Sequence, residues 1–173
     1  MHNCRSALDR SLGIVHSAWV DHAKLARLAR LSFECQFEEL IREVTEDEVA
    51  QAWTRYQQRY PDVADDDPDW WAVDLWMSEE SWADERRIRD GILRLVDLAN
   101  SDAELEFIGI TAMEGWFFGE DPSRLEWVET HAAQSDRFRC TLGNLYLNRE
   151  TDDVRERVER AAAGPLPRSG TDT

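Results

Sequence analysis

Lysine is almost missing from this chain, with one residue against nineteen arginines in a sequence of 173. The imbalance matches the coding bias of a high-GC bacterium and is read as compositional. Cysteine is nearly as scarce: Cys4, Cys35 and Cys140 form no CxxC pair and no even framework. That excludes a zinc knuckle or a disulfide scaffold and predicts three free thiols in a reducing compartment. Eight glycines and five prolines leave long uninterrupted segments. No period-two alternation is sustained, and no Asn-Gly or Asp-Gly turn lies between alternating runs, so strands and hairpins are not expected. There is no apolar run of about 18 residues for a membrane span. Met1 to Arg10 carries no basic-then-apolar leader, which predicts a cytoplasmic protein. The glycines stand singly, so the P-loop, nucleophile elbow and dinucleotide turn are absent too.

What is present is acid. The formal net charge is -16, and it is concentrated: residues 61–136 hold twenty-one Asp or Glu against five Arg, while the segments before and after are nearly neutral. A field of that sign repels phosphates and anionic headgroups, which disfavours nucleic acid and membrane surfaces and favours a basic partner. An acidic surface that serves solubility alone has the same composition. With 42% hydrophobic residues the chain is too apolar to stay disordered.

Helical periodicity runs along most of the sequence. Leu8, Leu12, Val15, Trp19 and Ala26, widened by Leu25 and Leu28, predict an amphipathic helix over about Ala7 to Leu31. Phe33 to Val44 predicts a second helix or a continuation of the first. Thr45 with Glu48 forms a capping box for a helix whose apolar face is Val49, Ala52, Trp53, Tyr56 and Tyr60 and which stops at Pro61. Asp67 and Pro68 read as N-cap and first residue of a short helix over Trp70 to Met77. Further helices are expected with Ile88, Ile92, Leu95 and Val96 inward, after Ser101, after Asp121-Pro122, after Ser135 and after Thr151. The expected fold is all-α, a compact bundle or short stacked array of about eight to ten antiparallel helices. One domain is expected over residues 1–163, with 1–50 as a helical extension, 51–163 as the main body and 164–173 as a frayed tail.

From Pro61 to Glu85 ten acids occur with no basic residue, and Trp70, Trp71, Trp76 and Trp82 are interleaved with them. Carboxylates hold a segment in water while indoles need a core or a partner, so the pattern points to a binding face. Its candidate contacts are Asp65, Asp66, Asp67, Asp69, Trp70, Asp74 and Trp76, with Trp116 as a second aromatic anchor. Trp53, Trp71, Trp82 and Trp127 read as core, and of Trp70 and Trp76 at least one is expected to stay partly exposed. Glu114 lies in an apolar stretch and is expected to pair with Arg137 or Arg139 as a structural ion pair. His16 and His22 are six apart and do not share a helix face, and the aspartate run lacks the glycine and distal glutamate of a calcium loop, so no metal or cofactor is expected.

Trp53, the DDPDWW turn, the acidic capping segment before Phe107-Ile108, the Met113-Glu114 pair and the block SDRFRCTLGNLY resemble a family of small bacterial proteins described as a domain of unknown function. The resemblance covers about Gln51 to Gly164. Where that family has Gly-Pro before the pair, this chain has Thr111-Ala112. The resemblance implies a helical fold and brings no activity, cofactor or catalytic residue. The expected function is a non-enzymatic acidic interaction domain, such as an inhibitor or immunity protein that masks a basic nuclease. Two other classes stay open: a hydrolase or metal-dependent enzyme using Glu114 and nearby carboxylates, favoured if Glu114 converges with His131 and an acid in one pocket, and an oligomerisation domain that self-associates through residues 8–31.

Overall fold

The computed structural model describes residues 22–60, 62, 67–78, 84–117, 121–147 and 151–164. Every regular element among them is helical, which agrees with the all-α expectation. The first half comprises α1 (His22–Phe33), α2 (Phe37–Glu43), α3 (Glu46–Arg59), α4 (Trp70–Trp76) and α5 (Glu85–Leu98). The second comprises α6 (Asp102–Ile108), a π-helical segment (Gly109–Met113), α7 (Glu114–Phe117), α8 (Pro122–Gln134), α9 (Asp136–Leu142) and α10 (Asp152–Ala162).

Side chains set the boundaries. The Thr45 hydroxyl accepts from the Glu48 amide and the Glu48 carboxylate accepts from the Thr45 amide, so the capping box is fully formed. Asp84, Ser101, Asp121, Ser135 and Thr151 each accept from an amide in the first turn that follows. Around Ser101 the reciprocal bond differs from a true box, because Glu104 accepts from Asn100 N–H. Two helices end on a left-handed residue that is not glycine. At Cys35 (φ 55°) and Ala163 (φ 58°) the backbone turns left-handed. The amides of Gln36 and Gly164 then reach back to Leu31 and Glu159 carbonyls, closing Schellman turns. Cys35 thereby separates α1 from α2. The part of the expected first helix before His22 lies outside the described residues.

α3 packs along α5, with Val49, Ala52 and Trp53 facing Ile88, Ile92 and Leu95. Trp76, an expected surface contact, is instead 5% exposed and meets Trp53 edge-on at 5.5 Å. A Cβ on Gly91 would lie 2.7 Å from the Trp76 ring, so the glycine is what lets the indole lie on α5. Leu28, Leu31, Leu40 and Val44 join the same core, so the described part of residues 1–50 packs into the body. In the second half α8 packs on α10 and α6 on α9. Gly109 crosses α9 so closely that a Cβ there would stand 2.2 Å from the Thr141 carbonyl oxygen.

Cys4 lies outside the described residues, and Cys35 is an exposed free thiol. No described helix is long and apolar enough to cross a membrane.

Candidate functional site

Arg55 and Arg59 lie one turn apart on the outer side of α3. The chain returns to them through Asp67-Pro68-Asp69-Trp70, where the Trp70 amide bonds the Asp67 carbonyl at 3.1 Å. Asp69 has φ -103° and ψ 0°, so this is a type I turn with proline in its preferred second position. Both carboxylates point inward. Arg59 holds Asp67 through Nε (3.0 Å) and Nη2 (2.7 Å), and its Nη2 also reaches Asp69 Oδ2 at 2.9 Å. Arg55 holds Asp69 through Nε (3.1 Å) and Nη2 (2.6 Å). The Asp69 amide donates to Asp67 Oδ1. The aspartate side chains are 6% and 4% exposed, so these two expected partner contacts are instead held in a buried clasp. The expected cap role of Asp67 is lost for the same reason, and helix α4 starts at Trp70. Burial favours the neutral form of Asp67, but the Arg59 bonds and the Asp69 amide outweigh it and hold its pKa below the usual carboxylate range.

The clasp fixes Trp70, which is 46% exposed with its ring 5.5 Å from Tyr56. Tyr60, expected on the apolar face with Tyr56, is instead 57% exposed, because α3 ends at Arg59 and Tyr60 is its C-cap, and it lies 6.0 Å from Phe107. Together these rings make an aromatic strip over α3 and α6, which the sequence did not reveal because Tyr60 and Phe107 are far apart in the chain. Ile110 adds an exposed apolar side chain one turn past Phe107. Asp74 is half-buried and accepts from the Ser32 hydroxyl. Asp65 and Asp66 lie outside the described residues.

Trp116 was expected to be an exposed anchor and is 1% exposed. Its indole N–H donates to Glu85 Oε1 at 3.1 Å, and the Arg89 and Arg124 guanidinium groups lie 5.7 Å and 5.3 Å from its ring. Glycine-flanked Trp-Phe-Phe looks like a surface patch only until those distant arginines are known. The expected Glu114 ion pair is also corrected. Arg137 donates to the Val96 and Ala99 carbonyls at the end of α5, and Arg139 to the Ala132 carbonyl and to Asp136. Open carbonyls at helix C-termini compete for these guanidinium groups. Glu114 sits at the end of the π-helical segment, half-buried. Burial raises its pKa, and the Tyr146 backbone N–H opposes the shift only in part.

His131 is bound elsewhere: Nδ1 lies 2.9 Å from the Trp127 carbonyl and the ring lies tilted against Trp127 at 4.3 Å. A cavity of about 20 Å³ among Val49, Leu75, Trp76 and Ile88 has room for little more than one water. A groove of about 410 Å³ runs along Cys35 to Glu39 and Arg42. Glu114 and His131 line neither. No group of His, Cys, Asp and Glu among the described residues is arranged to hold a metal.

The model of a family of unknown function (DUF6869) matches residues 59–166. The chain belongs to that family. No curated protein and no solved structure matches it. The DUF6869 region takes in Arg59, the aspartate turn, Trp70, Phe107 and Glu114. It begins in the last turn of α3, so Trp53 and Arg55, which seat the core and half of the clasp, lie just before it.

Proposed function

We propose that this DUF6869 protein is a non-enzymatic interaction domain whose acidic outer surface binds a basic protein. The observation that supports this most is the division of charge. Most described arginines bridge helices or close helix ends, as at Arg55, Arg59, Arg87, Arg124, Arg137 and Arg157, while Arg30, Arg42, Arg86 and Arg160 stay on open faces. Asp62, Glu106 and Glu126 stay exposed, so the surface is more one-signed than the composition alone implies. A rigid negative scaffold of this kind suits an inhibitor or immunity protein that covers the phosphate-binding cleft of a nuclease, because charge complementarity sets encounter rate and specificity.

Capture of a partner from the native host, followed by stopped-flow association at several salt concentrations, tests the reading. The on-rate is expected to fall with ionic strength. Asp62→Asn with Asp65→Asn and Asp66→Asn is expected to slow it and flatten its salt dependence. A stoichiometric loss of the partner's nuclease activity would establish the inhibitor form. An on-rate indifferent to salt and to these substitutions, or recovery of this chain alone as its own partner, would replace this reading with oligomerisation.

A further inference from the structure

We propose that the strip formed by Trp70, Tyr56, Tyr60 and Phe107 is the seat of an arginine-bearing extended segment of the basic partner. The inference rests on the preceding reading that the partner is basic, and adds where it sits and which cation it presents. Two exposed rings mark the surface, Trp70 at 46% and Tyr60 at 57%. Each lies against a more buried ring, Tyr56 at 5.5 Å and Phe107 at 6.0 Å, so each holds a defined orientation. An apolar face so built on an acidic molecule meets a cation readily, because the faces of indole and phenol rings attract it electrostatically.

The two arginines beside the strip do not oppose this. Arg55 and Arg59 are neutralised by Asp67 and Asp69, while exposed Asp62 and Glu106, next in sequence to the strip region, leave its surroundings negative. Arginine is favoured over lysine because a planar, weakly hydrated guanidinium stacks on flat rings, whereas an ammonium retains its water. The same chemistry already operates inside the protein, where Arg89 and Arg124 lie over Trp116. Spacing adds a further restriction. Tyr56, 8% exposed, lies against Trp70 and is one helical turn from Tyr60, about 6 Å between Cβ atoms, so the two ring pairs are set roughly one turn apart along α3, and alternate residues of an extended chain are spaced by about 7 Å. Arginines at every second position therefore fall in step with the strip.

The test uses the full chain and three synthetic octapeptides in which serine alternates with arginine, lysine or glutamate, titrated at low salt by calorimetry. The arginine peptide is expected to bind about fivefold or more tightly than the lysine peptide of equal charge, and the glutamate peptide not at all. Tyr60→Ala and Trp70→Ala should each erode that preference, and together abolish it. Asp62→Asn with Glu106→Gln should weaken both basic peptides alike. If wild type shows no preference, or keeps it in the aromatic variants, the strip is not the seat, although salt-dependent binding of both peptides would leave the basic-partner reading intact. If neither basic peptide binds, both readings fall. Circular dichroism checks the fold of each variant. Should Trp70→Ala not fold, Tyr60→Ala carries the same comparison alone, since its side chain is largely in solvent.

Discussion

Asp67 and Glu114 are both withdrawn from water, and in both cases burial is the largest influence and pushes the carboxyl toward its neutral form. At Asp67 two nitrogens of Arg59 and the Asp69 amide overcome that push; at Glu114 a single backbone N–H from Tyr146 does not. The two sites differ in whether a guanidinium arrives. α3 presents Arg55 and Arg59 one turn apart, facing the returning loop, whereas the arginines that might have served Glu114 are held by the open carbonyls of α5 and α8. Between these two carboxyls the sign of the shift follows from the competition for arginine.

Breaking the clasp should produce the largest effect. Arg59→Met leaves Asp67 without its two side-chain donors and takes one from Asp69, with both carboxylates still buried. The expected loss is about 3 kcal/mol of unfolding free energy, measured by urea denaturation at neutral pH. A loss below about 1 kcal/mol would mean that the aspartates find water on losing the arginine, and the contrast with Glu114 would collapse. Gly109→Ala attacks the other side. Its methyl group meets the Thr141 carbonyl, so the π-helical segment and α9 must part, at a cost of about 2 kcal/mol in the same assay.

The pH dependence sharpens the comparison, because the two groups act with opposite signs. Asp67 has a folded pKa below its unfolded value of about 3.9. Its stabilising contribution is complete above that unfolded value and is lost as pH falls through the depressed folded pKa. Wild type should therefore lose stability on acidification below about pH 4, and Arg59→Met should show a flatter profile there. Glu114 has a folded pKa above its unfolded value of about 4.3. Its favourable contribution is present below that value and is lost as pH rises through the raised folded pKa. Urea midpoints of wild type and Glu114→Gln between about pH 4 and 7 should diverge in that direction, with wild type losing the more. At neutral pH Glu114→Gln is expected to be the mildest of these changes, within about 1 kcal/mol of wild type, since the amide oxygen still accepts from Tyr146 and no arginine is orphaned. Destabilisation by about 3 kcal/mol would reinstate a buried ion pair at that position.

Local chemistry was legible in the sequence, and long-range pairing was not. The Thr45–Glu48 box, the Asp121-Pro122 start and the Ser135 and Thr151 caps all involve residues within a few positions of one another, and all are in place. The apolar spacing of α3 and α5 likewise marked the buried faces. The helix ends at Cys35 and Ala163 were hidden because neither carries the glycine that usually marks a left-handed C′ position. The π-helical segment was hidden as well, since Gly109–Met113 has the periodicity of an ordinary turn. At the candidate site, it was readable that at least one of Trp70 and Trp76 stays partly exposed, but not that Trp70 is the one. The burial of Asp67, Asp69, Trp76 and Trp116 was not, because each depends on a partner from another helix: Arg59, Arg55, Trp53 and the Glu85–Arg89–Arg124 group.

The guanidinium ties at the helix ends bear on which sequences this fold can drift through. Arg137 engages two carbonyls of α5, and Arg87 bonds both Ile41 and Val44 oxygens at 3.1 Å. Lysine preserves the charge there but offers one nitrogen where a planar fork spans two acceptors. On Arg86, which is 91% exposed, the same replacement removes nothing of the kind. The arginines of this chain are thus not equally replaceable: those on open faces can become lysine one at a time, while those that close helices must wait for the carbonyls beneath them to find other donors.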